Sequence, residues 1–308
     1  MATGLLKRGD TEPSPQLLLK ASDGADYDLT NHSVYMTMIL PTTLSTTMND
    51  SVATIDLPAS IVDVVEVNDI VLIHHERIQI DAPLPTQPIA AAEATFQCTR
   101  GVDEAAIAGA VVGSLDVAGT GANVYRLGTN AVFTLTVDLG TPTVVTVLAT
   151  ETTTNTTIGH LVTDIQTAVD LALGGGVATV SNQNDKVVIT SDTTGAASNM
   201  QLTSPDAIAL AELGVVAAYG QGVAAKTTDA EAHDSGDVAR LIKIDHRTAI
   251  IENPATEGSI TFEWLTGDTD RIATYFLEFE VTTPQNKIFT VPTDDSFSVA
   301  VVADYEDR

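Results

Sequence analysis

The sequence predicts a mainly β fold whose principal part is a β-sandwich, and three observations near its C-terminal end support this. From residue 258 onward, apolar residues recur at every second position, which is the pattern of a half-buried strand. Turn-forming residues at 267–270 and 284–286 separate these runs. The region also contains Trp264, the only tryptophan of the chain, so we expect the main core here. The predicted strands span residues 258–264, 273–281, 289–292 and 297–302.

Two N-terminal segments are expected to complete this sandwich. Apolar residues alternate from 17 to 21 and precede the hairpin turn signal Asp23-Gly24. A second strand is predicted over residues 34–40. Residues 1–14 are polar, and we expect them to form an extended arm that is ordered only when a neighbouring chain holds it.

The order of several short motifs along the chain carries a family resemblance. These motifs are Arg8-Gly-Asp-Thr11, Asp23-Gly24, Asp28-Leu-Thr30, Gly258-Ser-Ile-Thr-Phe-Glu-Trp264, Gly267-Asp-Thr269, Tyr275-Phe-Leu-Glu-Phe-Glu-Val281 and Thr290-Val-Pro292. Together they resemble the immunoglobulin-like (Ig-like) domain of tailed-phage baseplate and tail proteins, of the upper-baseplate type. The resemblance covers about 8–42 and 240–305, and it implies a discontinuous Ig-like β-sandwich over 15–50 plus 239–308. Ile272-Ala-Thr274 departs from the family, which has a glycine before the tyrosine.

Between the two halves of that domain, short apolar runs separated by turn signals predict a small β module. Its motifs at 67–80, 96–101 and 229–238 resemble a small barrel-like module that is common in phage tail proteins. Asn68 stands where that module has a glycine. The predicted strands span residues 53–57, 61–65, 69–73, 76–80 and 94–98.

The third motif of the small module, at 229–238, lies far downstream of the other two, and this displacement predicts a nested architecture. Residues 109–225 are then an insertion into a loop of the small module, which comprises 51–108 plus 226–238. Insertions are tolerated at surface loops whose ends lie close together. The predicted fold is therefore a mainly β, Ig-like β-sandwich with nested insertions, a small β-barrel-like module and an α+β module. A linear string of domains, with 226–257 as a linker, is the alternative.

The inserted segment predicts an α+β module. Its central helix is expected to be capped by Thr156 or Thr157 and to be ended by Gly174-Gly-Gly176. The module resembles those embedded in flagellin, hook-associated proteins and phage fibres. The predicted elements are strands 132–137, 143–147, 177–180 and 186–190, and helices 158–172 and 205–214.

Composition excludes several classes of function. The chain of 308 residues carries 41 acidic against 14 basic residues, a net charge of −27, so a basic surface for nucleic acid or anionic membranes is not expected. The acidity fits either solubility in a crowded assembly or a high-salt source. Cys98 is the only cysteine, which excludes an internal disulfide and a zinc site made of cysteines. Residues 1–8 lack the apolar stretch of a secretory signal, so we expect the chain to stay in the cytoplasm or to leave inside a particle.

Candidate chemical sites are few. His74-His75-Glu76 suggests metal binding, with His74 and Glu76 on one side of a strand, but a polar strand end before a turn is the simpler interpretation. His233 is expected to hydrogen-bond within a turn. The glycine pairs Gly119/Gly121 and Gly220/Gly222 do not form a dinucleotide motif. Acidic residues that suit either calcium or solvated turns are Asp268, Asp270, Asp294, Asp295, Asp304, Glu306 and Asp307. We therefore predict no catalytic, cofactor-binding or metal-binding residues and no cofactor.

The resemblances imply a structural virion protein of a tailed phage or archaeal tailed virus, in the tail, baseplate or neck or decorating the head. Its expected partners are other virion proteins and copies of itself as a homo-oligomer, with no nucleic acid and no membrane. The alternative is a host-surface or carbohydrate-binding module displayed on the virion, for which Tyr125 and Tyr219 are the nearest aromatic residues. A glycan-degrading enzyme would need two carboxylates in a cleft, and the low aromatic content, 5%, disfavours it.

Overall fold

The computed structural model describes residues 2–302 except 10, 12–13, 22, 84–92, 113–124, 184, 253, 285–286 and 292–296. The chain is mainly β, as predicted. The described residues contain the helices α1 (Ile158–Leu173) and α2 (Ala207–Glu212), neither of which is long and apolar enough to cross a membrane.

The described strands are, in chain order, β1 (Ala2–Lys7), β2 (Gln16–Leu18), β3 (Ser33–Thr43), β4 (Thr54–Pro58), β5 (Ile70–Ile73), β6 (Glu76–Pro83), β7 (Glu93–Thr99), β8 (Ala110–Val112), β9 (Ala131–Val137), β10 (Thr143–Val147), β11 (Ala178–Gln183), β12 (Lys186–Ser191), β13 (Asn199–Thr203), β14 (Ala218–Gln221), β15 (Val238–Thr248), β16 (Ile250–Ile251), β17 (Ser259–Thr261), β18 (Ala273–Thr282), β19 (Ile288–Val291) and β20 (Phe297–Val302).

Two separate hydrophobic clusters divide the chain. The first draws its buried residues from 6–98 and 239–301, and the second draws them from 111–215. The second cluster belongs to the segment predicted as an insertion. The chain therefore leaves its first core, builds a second one and then returns to the first.

A ten-stranded sheet spans the first core, in the order β1-β20-β18-β3-β15-β5-β6-β7-β4, with β19 paired to β18. Only the β1–β20 pair is parallel. β15 is eleven residues long and pairs with β3 on one side and with β5 on the other. The strands predicted for two separate outer units therefore form one sheet over one core, because this strand is long enough to serve both.

A three-stranded sheet, β16-β17-β2, supplies a second layer to the same core. Ile260 of this layer is buried together with Tyr275 and Phe279 of the large sheet, and Ile251 packs against the same cluster. β17 is shorter than predicted, and the chain continues beyond it without a strand to Trp264, which is only 1% exposed. Two layers around a shared core are consistent with the predicted β-sandwich.

Two expectations for the outer part were wrong, and the alternative linear arrangement does not fit either. The N-terminal arm is held by its own chain, because β1 adds to the edge of β20 through main-chain hydrogen bonds and Leu6 enters the core. Residues 61–65 form turns rather than a strand, since Ile61 and Val64 are buried at a spacing of three, which suits a helical turn. The linker of the linear arrangement, 226–257, contains β15.

The inserted segment is α+β. α1 buries Leu161, Ile165 and Val169, which lie one turn apart, and the Thr157 hydroxyl caps it by accepting from the His160 amide. The predicted β9–β10 hairpin is present. The inserted segment contains a four-stranded sheet in the order β10-β9-β13-β14 and a three-stranded sheet in the order β11-β12-β8. The sequence did not predict β8, β13 or β14.

The two ends of the inserted segment lie side by side. Glu104 and Lys226 exchange main-chain hydrogen bonds of 2.9 and 3.1 Å, and Ile107 and Val223 exchange bonds of 2.9 and 3.0 Å. The chain therefore enters and leaves the inserted segment through two short stretches, 104–107 and 223–226, which run antiparallel to each other beside the large sheet.

Candidate functional site

A buried carboxylate, Glu76, lies at the centre of one polar cluster where β6 begins. Its two oxygens accept hydrogen bonds from Arg100 at 2.5 Å (Nε) and 2.6 Å (Nη2). The amides of Gly101 and Glu231 donate at 3.1 and 3.0 Å, and His233 Nε2 lies at 2.8 Å. Glu76 is 1% exposed, so these bonds replace the water that a carboxylate would otherwise hold.

The hydrogen-bond donors around Glu76 stabilise the ionised form of its carboxylate. Burial alone would raise the pKa of Glu76, but hydrogen bonds from Arg100, the Glu231 amide and His233 outweigh it and lower the pKa. The Arg100 guanidinium and the Glu76 carboxylate form two hydrogen bonds in bidentate geometry, which is the strongest arrangement for an arginine–carboxylate pair. The cluster therefore fixes β6, the end of β7 and the 231–233 segment against one another.

The three motifs that resemble the small barrel-like module converge on this carboxylate. Glu76 comes from the first motif, Arg100-Gly101 from the second and His233 from the third. The cluster thus ties the returning chain to the strands that precede the inserted segment. This gives the motif residues a structural role.

His74 and Glu76 do not share a side of one strand. His74-His75 is the two-residue turn of the β5–β6 hairpin, whose last pair is Ile73 with Glu76. His74 has a φ of 52°, in the left-handed region, and its side chain is 56% exposed. A tight hairpin turn places such a residue outside the ladder, which the strand alternation did not anticipate.

His233 combines a main-chain and a side-chain role. Its backbone exchanges hydrogen bonds with Met48, at 2.8 and 2.9 Å, while its ring points at Glu76. The ring is 2% exposed, and its Nδ1 lies 3.9 Å from Asp237 Oδ2. The His74 ring lies 5.5 Å away, centroid to centroid.

A second cluster surrounds His246 near the end of β15. His246 Nδ1 lies 2.7 Å from Asp245 Oδ1 and 3.3 Å from Glu104 Oε1, and Nε2 lies 3.7 Å from Glu280 Oε2. Arg77 Nη2 donates to Asp245 at 2.6 Å. The His246 imidazole therefore faces three carboxylates. Asp245 belongs to β15, Glu280 belongs to β18, and Glu104 lies where the chain approaches the inserted segment.

The charges in this second cluster follow from that geometry. Burial alone would lower the pKa of His246, but the carboxylates of Asp245 and Glu280 outweigh it and raise the pKa to about 9. Burial alone would raise the pKa of Asp245, whereas His246 and Arg77 bring it to about 2. At neutral pH the cluster therefore contains an imidazolium between the ionised carboxylates of Asp245 and Glu280.

A cavity of about 320 Å³ lies beside the His246 cluster and reaches the His74-His75 turn. Its charged walls are paired: Arg240 with Glu278 at 2.9 Å and Lys226 with Glu104 at 3.2 Å. A glycoside hydrolase would need a general acid with a raised pKa. Here the resolved pKa shifts of the wall carboxylates Asp245 and Glu280 are downward, opposite to the shift that a general acid requires.

The aromatic residues singled out for sugar binding do not form one surface. Tyr219 lines a cavity of about 270 Å³ between the inserted segment and the large sheet, and its hydroxyl donates to Gln221 Oε1 at 2.5 Å. Tyr125 instead packs against the core of the inserted segment.

The remaining candidates from the sequence have structural surroundings. Asp268 accepts two bonds from Arg247, at 2.5 and 2.8 Å, in a turn that also contains Asp270. Cys98 is buried, and burial raises its pKa to about 11. Gly220 and Gly222 allow close backbone contact, because a Cβ would lie 1.7 Å from the Ala110 oxygen at the first and 2.4 Å from the Ile107 oxygen at the second. The other candidates lie outside the described residues: Gly119, Gly121, Asp294, Asp295, Asp304, Glu306 and Asp307.

Sequence reasoning missed Glu104, Asp245 and His246. They come from separate parts of the chain and match no motif. The available signal was the run of charged residues at 240–247 inside an otherwise apolar strand. Two groups of described residues have spacings compatible with a metal ion: His74, His233 and Asp237, and Glu104, Asp245 and His246.

Comparison with models of known protein families and with curated proteins gives no match in either case. The function is therefore argued from the residues and their geometry.

Proposed function

We propose that this chain is a structural virion protein of a tailed virus, acting through contacts with copies of itself and with other virion proteins. The motif order described above supports the virion setting. The structural observation that carries an assembly role is the edge strand β10. The chain would then be localised in the particle.

β10 pairs only with β9 among the described strands, so its other edge offers main-chain donors and acceptors. Its sequence, Thr-Val-Val-Thr-Val, has no charge, proline or glycine, and the Val144 side chain is exposed. Monomeric proteins protect such edges with charges, prolines or bulges. In a chain with a net charge of −27, this neutral edge suits pairing with a second copy.

Sedimentation of the purified protein across a salt series tests this role. We expect oligomers that increase with salt, because like charges repel less when the Debye length falls from about 10 Å at 0.1 M to about 3 Å at 1 M. Val144→Lys should abolish the oligomers by placing a charge at the edge, whereas Val144→Thr should retain them. Imaging of purified particles with an antibody then tests the virion setting.

A monomer at every salt concentration, absent from purified particles, would contradict the proposal. Turnover of a glycan or a peptide by the purified protein would also contradict it. Binding of glycans without turnover would favour the host-surface module instead.

A further inference from the structure

Three potential metal ligands meet between the β5–β6 turn and the segment that returns from the inserted module. One ligand atom from each of His74, His233 and Asp237 lies within 4.8 Å of the other two. Asp237 Oδ2 is 4.0 Å from His74 Nε2 and 3.9 Å from His233 Nδ1. No direct hydrogen bond joins these atoms at such distances, so the space between them suits a shared ion.

His233 gives an independent indication of a ligand. Its Nε2 faces Glu76 Oε2 at 2.8 Å, and an ionised carboxylate only accepts, so Nε2 carries the proton. In the neutral ring Nδ1 then presents its lone pair. Nδ1 is buried and has no hydrogen-bond partner among the described residues. Buried polar atoms are normally satisfied, so this atom points to a missing partner.

The surroundings of His233 match those of histidines that bind metals. Such a histidine generally donates its other ring N–H to a carboxylate, which fixes the tautomer and makes the free nitrogen more basic. Glu76 has that position and is itself held by Arg100. The Asp237 carboxylate is oriented in a similar way, since its Oδ2 accepts from the Asp234 amide at 3.0 Å.

We propose that His74, His233 and Asp237 bind one Zn²⁺ ion, or a divalent transition-metal ion with the same ligand preference. Zn²⁺ takes nitrogen and carboxylate ligands at about 2.0–2.2 Å, in a tetrahedron whose ligand atoms lie about 3.4 Å apart. The Asp237 oxygen must approach each histidine nitrogen by about half an ångström. The two histidine nitrogens must also come together from no more than 4.8 Å, and the exposed His74 turn is the part expected to move. The fourth position is expected to hold water.

Competing ions and the second cluster do not fit as well. Calcium and magnesium prefer oxygen ligands, and this set supplies only one carboxylate. In the group formed by Glu104, Asp245 and His246, the imidazole is protonated at neutral pH and itself neutralises the carboxylates. An ion between His74 and His233 would tie the β5–β6 turn to the returning chain, adding to the link through Glu76.

Calorimetric titration of tag-free, chelator-treated protein with Zn²⁺ tests the site. We expect one ion per chain, tetrahedral Co²⁺ absorption when Co²⁺ replaces Zn²⁺, and a rise of about 5 °C in the unfolding midpoint at 100 times the Kd. His74→Gln and Asp237→Asn should each weaken binding at least about tenfold. His75→Gln, in the same turn but outside the ligand set, should leave binding unchanged.

Circular dichroism must show that each variant is folded, which is expected because His74 is exposed and Asp237 half-buried. Absence of stoichiometric binding in the unmodified protein would overturn the proposal. Unchanged binding in folded His74→Gln and Asp237→Asn would also overturn it, as would an equal loss in His75→Gln, which indicates only surface histidine binding.

Discussion

At the scale of single residues, Trp264 holds irregular backbone against the large sheet. Its ring meets Phe262 edge-on, at 5.5 Å between centroids and an angle of 80°. Phe262 also packs under the Arg247 guanidinium, which lies 5.4 Å above its ring. The strand pattern placed both aromatics in the core correctly, although the strand ends at Thr261.

Trp264→Ala should lower the free energy of unfolding by about 3–5 kcal/mol, because it leaves a large cavity in a close-packed core. Chemical denaturation followed by circular dichroism measures this change. Leu171→Ala, at a residue exposed on α1, should change stability by less than about 0.5 kcal/mol. Similar losses in both variants would show that Trp264 is not a core anchor.

Gly220 is a glycine because of close backbone contact. A Cβ at this position would lie 1.7 Å from the Ala110 carbonyl oxygen, where β14 passes β8. Gly220→Ala should therefore destabilise the inserted segment by about 1–3 kcal/mol or more, since the backbone must shift. Gly175→Ala is the control, because a Cβ there meets open space. Equal thermal midpoints for the two variants would contradict this account.

His246 gives the protein a specific pH dependence. Its folded-state pKa of about 9 is above the ordinary value of 6.5, so its contribution is complete below pH 6.5 and is lost as the pH rises through 9. This shift corresponds to about 3 kcal/mol. Denaturant unfolding from pH 6 to 10 should show the decline, and His246→Gln should flatten it. An unchanged slope in that variant would assign the decline to other groups.

At the scale of elements, the sequence predicted strands with regular alternation and missed the strand that joins them. β18 alternates over most of its length, whereas β3 is a nearly continuous apolar run that is buried over most of its length, and both were predicted within a few residues. β15 carries register shifts between Ile242 and Ile244 and between Ile244 and Arg247. Bulges break the period of two, so the pattern does not reveal such a strand.

β1 protects the edge of β20. Deleting residues 1–7 should expose the main-chain groups of β20, and an uncovered edge promotes pairing between chains. We expect increased self-association by sedimentation at high salt, where charge repulsion is screened. Leu6→Ala keeps the strand and should destabilise the fold without this increase. Equal association of the two variants would show that β1 is not an edge cover.

At the scale of the whole molecule, local patterns predicted more of the fold than of the polar clusters. The motif pieces around Glu76 could be grouped because each is a short local signal. The network around His246 depends on β15, β18 and Glu104 meeting in three dimensions. No local pattern encodes such a meeting, since each residue alone resembles an ordinary surface charge.

The separate cores predict that the inserted segment can be removed. Replacing residues 108–222 by Asn-Gly joins Ile107 to Val223, which already form a hydrogen-bonded pair that a two-residue turn can close. The first core lies outside this segment. Two contacts need compensation: the Tyr35 hydroxyl bonds the Gln221 carbonyl, and Glu263 pairs with Lys186. The variant therefore also carries Tyr35→Phe and Glu263→Gln, because the excision removes Gln221 and Lys186.

The shortened chain should be soluble and should unfold in one cooperative transition, reported by the fluorescence of Trp264. The full-length chain carrying only the two point changes is the matched control, because it separates their cost from that of the excision. Closing the chain at the junction costs little conformational entropy, because the new turn is short and its ends already face each other. If the control unfolds cooperatively and the shortened chain does not, the large sheet depends on the inserted segment for its folding, and the nested arrangement does not describe independent units.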